Sequence, residues 1–345
     1  MDISCEFLTA VDTPEHAVIA EDLGFKRVWV SDTPQMSPDV WLILGLVAAK
    51  TSTIEFGPAV LVPSLRHPMV NAAGTAAVDA MAPGRLKIAF GTGFTARRAM
   101  GNRAITWAYM DRYIRAYRGL LHGDVVEWEG TKMQMLHPDG HGTPRPVDVP
   151  ILIGALGPKG QKAAHEHGDG LFVVFQSPSF MNEFAWTAFL TWGTVLDDDE
   201  PASSEHAKVC AGPGWALAYH AAYEFGGAEA VSAMPGGEAW LGVVEQRPPD
   251  ERHLAVHAGH CVHLNEADEA AWRAGGHVLL DRAIPRDPGD RGTVDADDTA
   301  AVGTPRQIRQ RLDDLENQGV TEIVFMPCGS DVRGELERFM KAAQR

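Results

Sequence analysis

Short apolar runs alternate with amphipathic stretches along the chain, a pattern typical of a parallel α/β fold. The predicted strands are residues 3–8, 27–30, a run that begins at residue 54, 86–90, 150–153, 207–218 and 322–326. The predicted helices include residues 39–51, 104–121, 159–167, 305–318 and 333–341, and residues 123–136 are predicted to form a hairpin. Single α/β barrels commonly exceed 250 residues, so the 345 residues fit one barrel with an insertion.

The stretch 54–68 (IEFGPAVLVPSLRHP) contains the first candidate site. Its β-branched, apolar start predicts a strand buried on both faces, and its polar end predicts a loop. Functional groups of α/β barrels gather where strands end, so Arg66 and His67 are candidates for substrate binding. The structural alternative is a well-packed strand followed by an ordinary loop.

Other predicted strand ends carry further candidates. Asp32 and Thr33 follow the second strand, and Thr92 and Gly93 follow the fourth. The GxG at residues 91–93 lacks the third glycine of a dinucleotide fingerprint, which argues against a Rossmann site. An N-terminal cap at Asp32 and a tight turn at residues 91–93 are the structural alternatives.

Residues 150–159 (PILIGALGPK) are the second informative stretch. An apolar strand passes through a glycine-containing turn into a helix, and the free amides at a helix start form an anion site that barrels often use for phosphate. A connector without a ligand is the alternative. The candidate anion-binding residues are Gly154, Ala155, Leu156, Gly157 and Lys159.

Taken together, residues 23–32 (LGFKRVWVSD), 54–68 and 82–93 (APGRLKIAFGTG) resemble the bacterial luciferase-like superfamily of flavin and deazaflavin oxidoreductases. The branch that the chain resembles is that of methylenetetrahydromethanopterin reductase, which uses coenzyme F420. The resemblance covers about residues 1–175 and 300–345. It implies a single TIM (β/α)8 barrel over residues 1–345, with a variable, substrate-facing insertion at about 177–298.

The resemblance also implies roles for individual residues. The cofactor ring would contact Thr92, Gly93 and a non-proline cis peptide bond between Ala59 and Val60, and the cofactor phosphate would rest on the turn at residues 154–157. Many deazaflavin-dependent members of the family carry a histidine after the aspartate at the second strand end, where this chain has Thr33. A threonine hydroxyl cannot replace imidazole as an acid near neutral pH. We therefore predict catalytic roles for Asp32 and Thr33 but expect another proton donor.

Four histidines, residues 253, 257, 260 and 263, lie close together in the predicted insertion. No Asp, Glu or Cys completes a metal site at ligand spacing, so we expect no metal here or elsewhere. Their three-residue spacing suits a helix, whereas the apolar residues between them suggest a strand. One imidazole could instead take the place of the missing family histidine, so we predict His260 as catalytic and His257 as substrate-binding.

Composition limits the possible partners. The net charge of −16 without a basic run argues against nucleic acid. The four cysteines are far apart and predict neither a zinc ribbon nor disulfides. The N-terminus lacks a signal-peptide pattern and no window approaches 18 apolar residues, so we expect a cytoplasmic protein that does not contact a membrane. We further expect a homodimer that acts on a small molecule.

Three functions remain open at this point. The first is hydride transfer between F420 and a small organic substrate, which the resemblance favours. The second is an FMN-dependent monooxygenase that uses reduced flavin and oxygen. The third, of another class, is a barrel without a cofactor that serves as a binding protein.

Overall fold

The computed structural model describes residues 1–174, 178–259, 261–283 and 300–344. The strands in these ranges are β1 (Asp2–Leu8), β2 (Arg27–Ser31), β3 (Glu55–Leu61), β4 (Ile88–Phe90), β5 (Val126–Trp128), β6 (Thr131–Met133), β7 (Ile151–Gly154), β8 (Gly170–Val173), β9 (Thr187–Val195), β10 (Ala300–Gly303) and β11 (Glu322–Met326). The strands predicted near residues 3–8, 27–30, 54, 86–90, 150–153 and 322–326 are confirmed.

Eight of these strands form a closed parallel barrel, which confirms the predicted TIM-type fold. Each strand pairs with the next in the order β1, β2, β3, β4, β7, β8, β9 and β11, and β11 pairs with β1. Strand β10 extends the sheet by pairing with the second half of β9. The antiparallel pair β5–β6 is the predicted hairpin.

Helices surround the barrel. They are α1 (Thr13–Asp22), α2 (Val40–Lys50), α3 (Pro68–Met81), α4 (Phe94–Arg98), α5 (Trp107–His122), α6 (Pro158–His167), α7 (Glu205–Ser232), α8 (Gly237–Val244), α9 (Arg252–His257), α10 (Glu266–Ala271), α11 (Val278–Ala283), α12 (Pro305–Asn317) and α13 (Val332–Ala343). Local capping sets several starts: Asp39 accepts from the amides of Trp41 and Leu42 at α2, and Thr304 and Gln307 form a capping box at α12. Within the described residues, no helix combines the length and apolar character needed to cross a bilayer.

The strand predicted at residues 207–218 is wrong, because these residues belong to α7. The segment is apolar all round because the helix packs on several sides. A Cβ on Gly214 would lie 2.3 Å from Trp192 Cβ on β9, and one on Gly212 would lie 3.3 Å from Leu264. A helix buried in this way and a strand buried on both faces give the same continuous apolar pattern. Of the two alternatives for the segment with the four histidines, the helix is confirmed for residues 252–257, which form α9.

The range predicted as an insertion, 177–298, also contains β9, a fully buried barrel strand. Helices α7 to α11 lie between β9 and β10 and have an apolar core of their own, which includes Trp215, Tyr219 and Trp240. A separate cluster fills the barrel interior, with Trp29 and Phe172 among its members.

Candidate active site

A cavity of about 410 Å³ opens at the carboxyl ends of the barrel strands. This is the end at which barrel enzymes build their sites, and the volume lies in the range of small-molecule pockets. The predicted residues that line it are Asp32, Thr33, Ala59, Val60, Thr92, Gly93, Gly154, Ala155, Leu156 and Gly157. Four separate strand ends therefore converge on one cavity.

The barrel side of the cavity is built by close backbone approach. The peptide bond between Ala59 and Val60 is cis, as predicted, and the pairing of β3 with β4 is irregular at this point. Val60 projects against two glycines: a Cβ on Gly91 would lie 2.4 Å from Val60 Cγ2, and one on Gly154 would lie 3.3 Å from Val60 Cγ1. Only residues without a side chain fit at Gly91 while Val60 keeps this position.

Asp32 is held by a buried ion pair. Arg66 Nη1 donates to both carboxylate oxygens at 2.8 Å, and the amide of Val62 donates to Oδ2 at 3.3 Å. Burial raises the pKa of Asp32 above its usual value, although the charge and hydrogen bonds of Arg66 act in the opposite direction. Arg66 also binds Asp39 and does not line the cavity. The structure thus places Arg66 behind Asp32, where it orients the carboxylate.

Thr33, which stands at the position of the family histidine, is buried and lines the cavity. Its hydroxyl lies 3.4 Å from Ser37 Oγ, and its carbonyl accepts from the amides of Met36 and Ser37. Thr33 therefore shapes the turn after β2 at the edge of the cavity.

Glu6 on β1 is a cavity residue that sequence reasoning missed. The side chain is 2% exposed, Ser31 Oγ donates to its Oε1 at 2.7 Å, and its Oε2 has no hydrogen-bond partner. Burial raises the pKa of Glu6 to about 8, since the hydrogen bond from Ser31 offsets only part of the desolvation. Glu6 is therefore mostly protonated at neutral pH and can give up or accept a proton inside the cavity. A lone acidic residue within the apolar run 3–8 was the available signal.

The predicted anion site lies at the start of α6. Gly157 is its N-cap, Pro158 follows at the first helical position, and no side chain caps the helix. Amides of the first turn are thus free of side-chain acceptors, which favours a bound anion. Lys159 lies in this turn, is exposed and does not line the cavity.

Helices α4 and α7 contribute a second wall of the cavity. Phe94 stacks on Phe225 at a centroid distance of 5.4 Å, and Phe225 is 77% exposed although it lines the cavity. Arg98, also in the lining, pairs with Glu224 at 2.9 Å, while its Nε is buried without a partner. Sequence reasoning missed these residues because each contact joins segments far apart in the chain.

The remaining predicted residues lie elsewhere. His67 caps α3 by accepting from the amide of Met69 and does not line the cavity. His257 is buried beneath α7, with Nε2 3.7 Å from Glu224, and burial lowers its pKa. It does not line the cavity, but its partner Glu224 also pairs with Arg98, which does. His260 lies outside the described residues.

Comparison with known proteins agrees with this architecture. The chain is 29% identical to 5,10-methylenetetrahydromethanopterin reductase of Archaeoglobus fulgidus over 46% of this chain and 48% of that protein. It is 34% identical to F420-dependent glucose-6-phosphate dehydrogenase of Kineococcus radiotolerans over 45% and 50%. The chain thus spans about half the length of the curated relatives it matches.

The solved structure of coenzyme F420-dependent tetrahydromethanopterin reductase from Methanopyrus kandleri has the same fold. It superposes with a TM-score of 0.66 over 99% of this chain and 97% of that one, at 18% identity. A family model described as luciferase-like monooxygenase matches residues 8–185, just over half of this chain. The chain belongs to the luciferase-like monooxygenase family.

Proposed function

We propose that the protein is an oxidoreductase that transfers a hydride between coenzyme F420 and a small organic substrate. The observation that carries this proposal is the cavity itself. It joins a glycine-lined slot on the barrel side to a buried, partly unpartnered carboxyl group, Glu6. One matched relative is named as an F420-dependent glucose-6-phosphate dehydrogenase, which supports F420 over FMN.

The barrel side fits a flat ring. Gly91 and Gly154 give Val60 room to pack at the ends of β3, β4 and β7, so the Ala59–Val60 segment forms a cavity surface against which a planar group would lie. When bound there, F420 would supply the hydride acceptor or donor. The amides around Gly157 and the exposed Lys159 would hold the acidic tail.

The chain would supply proton transfer and orientation. Glu6, held by Ser31 and with Oε2 free, would give a proton to the substrate during reduction or take one during oxidation. Asp32, fixed by Arg66, would hold a polar group near Thr33 in a constant position. Phe94, Phe225 and Leu217 would exclude water from the substrate side.

A coenzyme titration tests the proposal. F420 and FMN are added separately to the purified chain, and binding is followed by coenzyme fluorescence. We expect saturable binding of one F420 per chain and at least about tenfold weaker binding of FMN, a difference of about 1.4 kcal/mol. Anaerobic reduction of bound F420 is then assayed with alcohols, glucose 6-phosphate and reduced pterins. Binding of FMN alone would overturn the choice of cofactor.

An FMN-dependent monooxygenase is the second candidate, because the matching family model is described as monooxygenase. The two candidates differ in their use of oxygen. A monooxygenase consumes oxygen with the substrate, whereas the proposed dehydrogenase turns over equally well without it.

We also propose that the protein is a cytoplasmic homodimer. Gel filtration with light scattering measures the oligomeric state.

A further inference from the structure

A second cluster of reactive side chains lies outside the cavity, where α7 and α13 meet the end of β9. His206 and Cys210 are four residues apart on α7, so their side chains project from the same face of the helix. Glu335 comes from α13 and is almost completely buried. One nitrogen of His206, the sulfur of Cys210 and one oxygen of Glu335 all lie within 4.8 Å of one another.

Neighbouring groups orient these three side chains. Glu200 contacts His206 Nδ1 at 3.0 Å, which turns Nε2 toward Glu335 Oε1 at 3.1 Å. Thr194 Oγ1 donates to the other oxygen of Glu335, Oε2, at 2.6 Å. A carboxylate behind a histidine and a hydrogen bond behind a carboxylate are the usual supports of metal ligands.

We propose that His206, Cys210 and Glu335 bind one divalent metal ion of the zinc class. Imidazole nitrogen, thiolate and carboxylate oxygen are the three donor types that zinc takes, and a water molecule would complete four-coordination. The sequence alone gave no reason to expect this site. Glu335 is distant in the chain. If residues 207–218 formed the predicted strand, His206 and Cys210 would be too far apart to bind the same ion.

Arg338 competes for the same carboxylate. Its guanidinium contacts Glu335 Oε1 and also lies 3.8 Å from Asp331 Oδ2. The side chain is only partly buried, so it can turn toward Asp331 when a cation takes its place at Glu335. Loss of Arg338 is therefore expected to strengthen metal binding, which is the opposite of what a simple ion-pair network predicts.

A bound ion would fasten the insertion to the barrel. It would join the first turns of α7 to α13, beside Thr194 of β9. None of the three ligands lines the cavity, so the ion would act on stability rather than on the reaction. Since α7 also carries Leu217 and Phe225, the ion would hold the substrate side of the cavity in place.

The test is a titration of the full chain, freed of metal by a chelator, with Zn²⁺ and with Co²⁺. We expect one ion per chain, a thiolate-to-cobalt charge-transfer absorption band, and a rise in Tm with Zn²⁺ that reflects binding to the folded state. The Cys210→Ser and His206→Gln variants should each bind Zn²⁺ at least about tenfold more weakly, and Cys210→Ser should lose the band. Cys5→Ser, a buried thiol on β1, is the matched control and should retain both.

The Arg338→Gln variant provides the sharper result, with an expected several-fold gain in affinity for Zn²⁺. His206→Gln keeps the test valid if Cys210→Ser fails to fold, because His206 is only partly buried. Absence of the charge-transfer band in the wild-type chain would overturn the proposal. So would Zn²⁺ binding that neither ligand variant weakens.

Discussion

The two walls of the cavity are built differently. On the barrel side, the ends of β3, β4 and β7 meet through backbone and small residues, with Val60 packed against Gly91 and Gly154. In the second wall, α4 and α7 contribute whole side chains, chiefly the stacked pair Phe94 and Phe225. The first wall has almost no freedom to change shape, whereas the second can change by substitution of single side chains.

The two walls also rest on different contacts, although α7 packs on β9 where Gly214 meets Trp192. The barrel wall belongs to the closed sheet, whose strands pair on both sides. The insertion depends on buried polar contacts: Asp268 accepts from His220 at 3.0 Å and from Trp240 Nε1 at 2.9 Å. If our proposed function is correct, the rigid wall binds the invariant cofactor and the variable wall selects the substrate. The predictions below separate these roles.

The largest effect is expected for Asp268→Ala. It leaves His220 and Trp240 without their buried acceptor and removes the contact of Oδ2 with the Asn265 amide. The free energy of unfolding should fall by about 3–5 kcal/mol, measured by urea denaturation. Glu266→Ala, at an exposed position of the same helix, should change it by less than about 0.5 kcal/mol. F420 binding that is lost together with stability would show that the walls are not independent.

The second effect concerns Glu6→Gln. In the folded chain the pKa of Glu6 is raised to about 8, so the stability gained from protonated Glu6 is complete at pH 4 and is lost as the pH rises toward 8. Glutamine does not ionise, and the variant should exceed the wild type by about 3 kcal/mol at pH 7 and by nothing near pH 4. Urea denaturation across this pH range measures the difference.

The same variant should lose turnover by about 10²–10⁴-fold, because glutamine cannot transfer a proton. F420 affinity should remain, since Glu6 is not part of the glycine slot. An equal pH dependence of stability in the two proteins would contradict the assignment of Glu6.

Gly91→Ala tests the barrel wall itself. The added Cβ would lie 2.4 Å from Val60 Cγ2, so Val60 must move into the cavity or the backbone must shift. We expect a loss of about 1–3 kcal/mol in stability and at least about a tenfold loss in F420 affinity. The control is Gly45→Ala in α2, where a Cβ would meet no atom within 4 Å. This variant should lose neither stability nor F420 affinity.

Phe225→Ala should have the smallest effect on stability and cofactor binding. Because the side chain is largely exposed, the free energy of unfolding should change by less than about 0.5 kcal/mol. F420 affinity should stay within about twofold, while KM for the substrate should rise because the stack with Phe94 is lost. A large loss of F420 affinity in this variant would show that the cofactor binds against α4 and α7 and not against the barrel wall.

The difference between the walls also explains what the sequence could predict. The barrel wall is made of strand ends, and each is visible locally as an apolar run that stops at Gly, Pro or a polar residue, as at residues 54–68. The cavity positions of Asp32, Thr92 and Gly157 followed from those local patterns and the family resemblance, and the cis bond before Val60 followed from the resemblance alone.

The rest depends on contacts between distant segments. The residues next to Arg98 in the sequence do not indicate its ion pair with Glu224. The residues next to Arg66 likewise do not show that its guanidinium is paired with Asp32. Helix α7 was misread because its apolar pattern arises from burial on several sides. Only Glu6 had a local signal, a single charge within a buried strand, and it is the residue whose pKa burial shifts most clearly into the neutral range.

The central claim is that a planar coenzyme ring lies against Val60, which packs on Gly91 and Gly154. A crystal structure of the chain with F420 bound tests it most directly. The account predicts the ring in the glycine slot, the acidic tail at the first turn of α6, and Glu6 Oε2 facing the open side of the cavity. A ring bound against Phe225 instead, or a cavity that stays closed by the protein's own side chains, would contradict it.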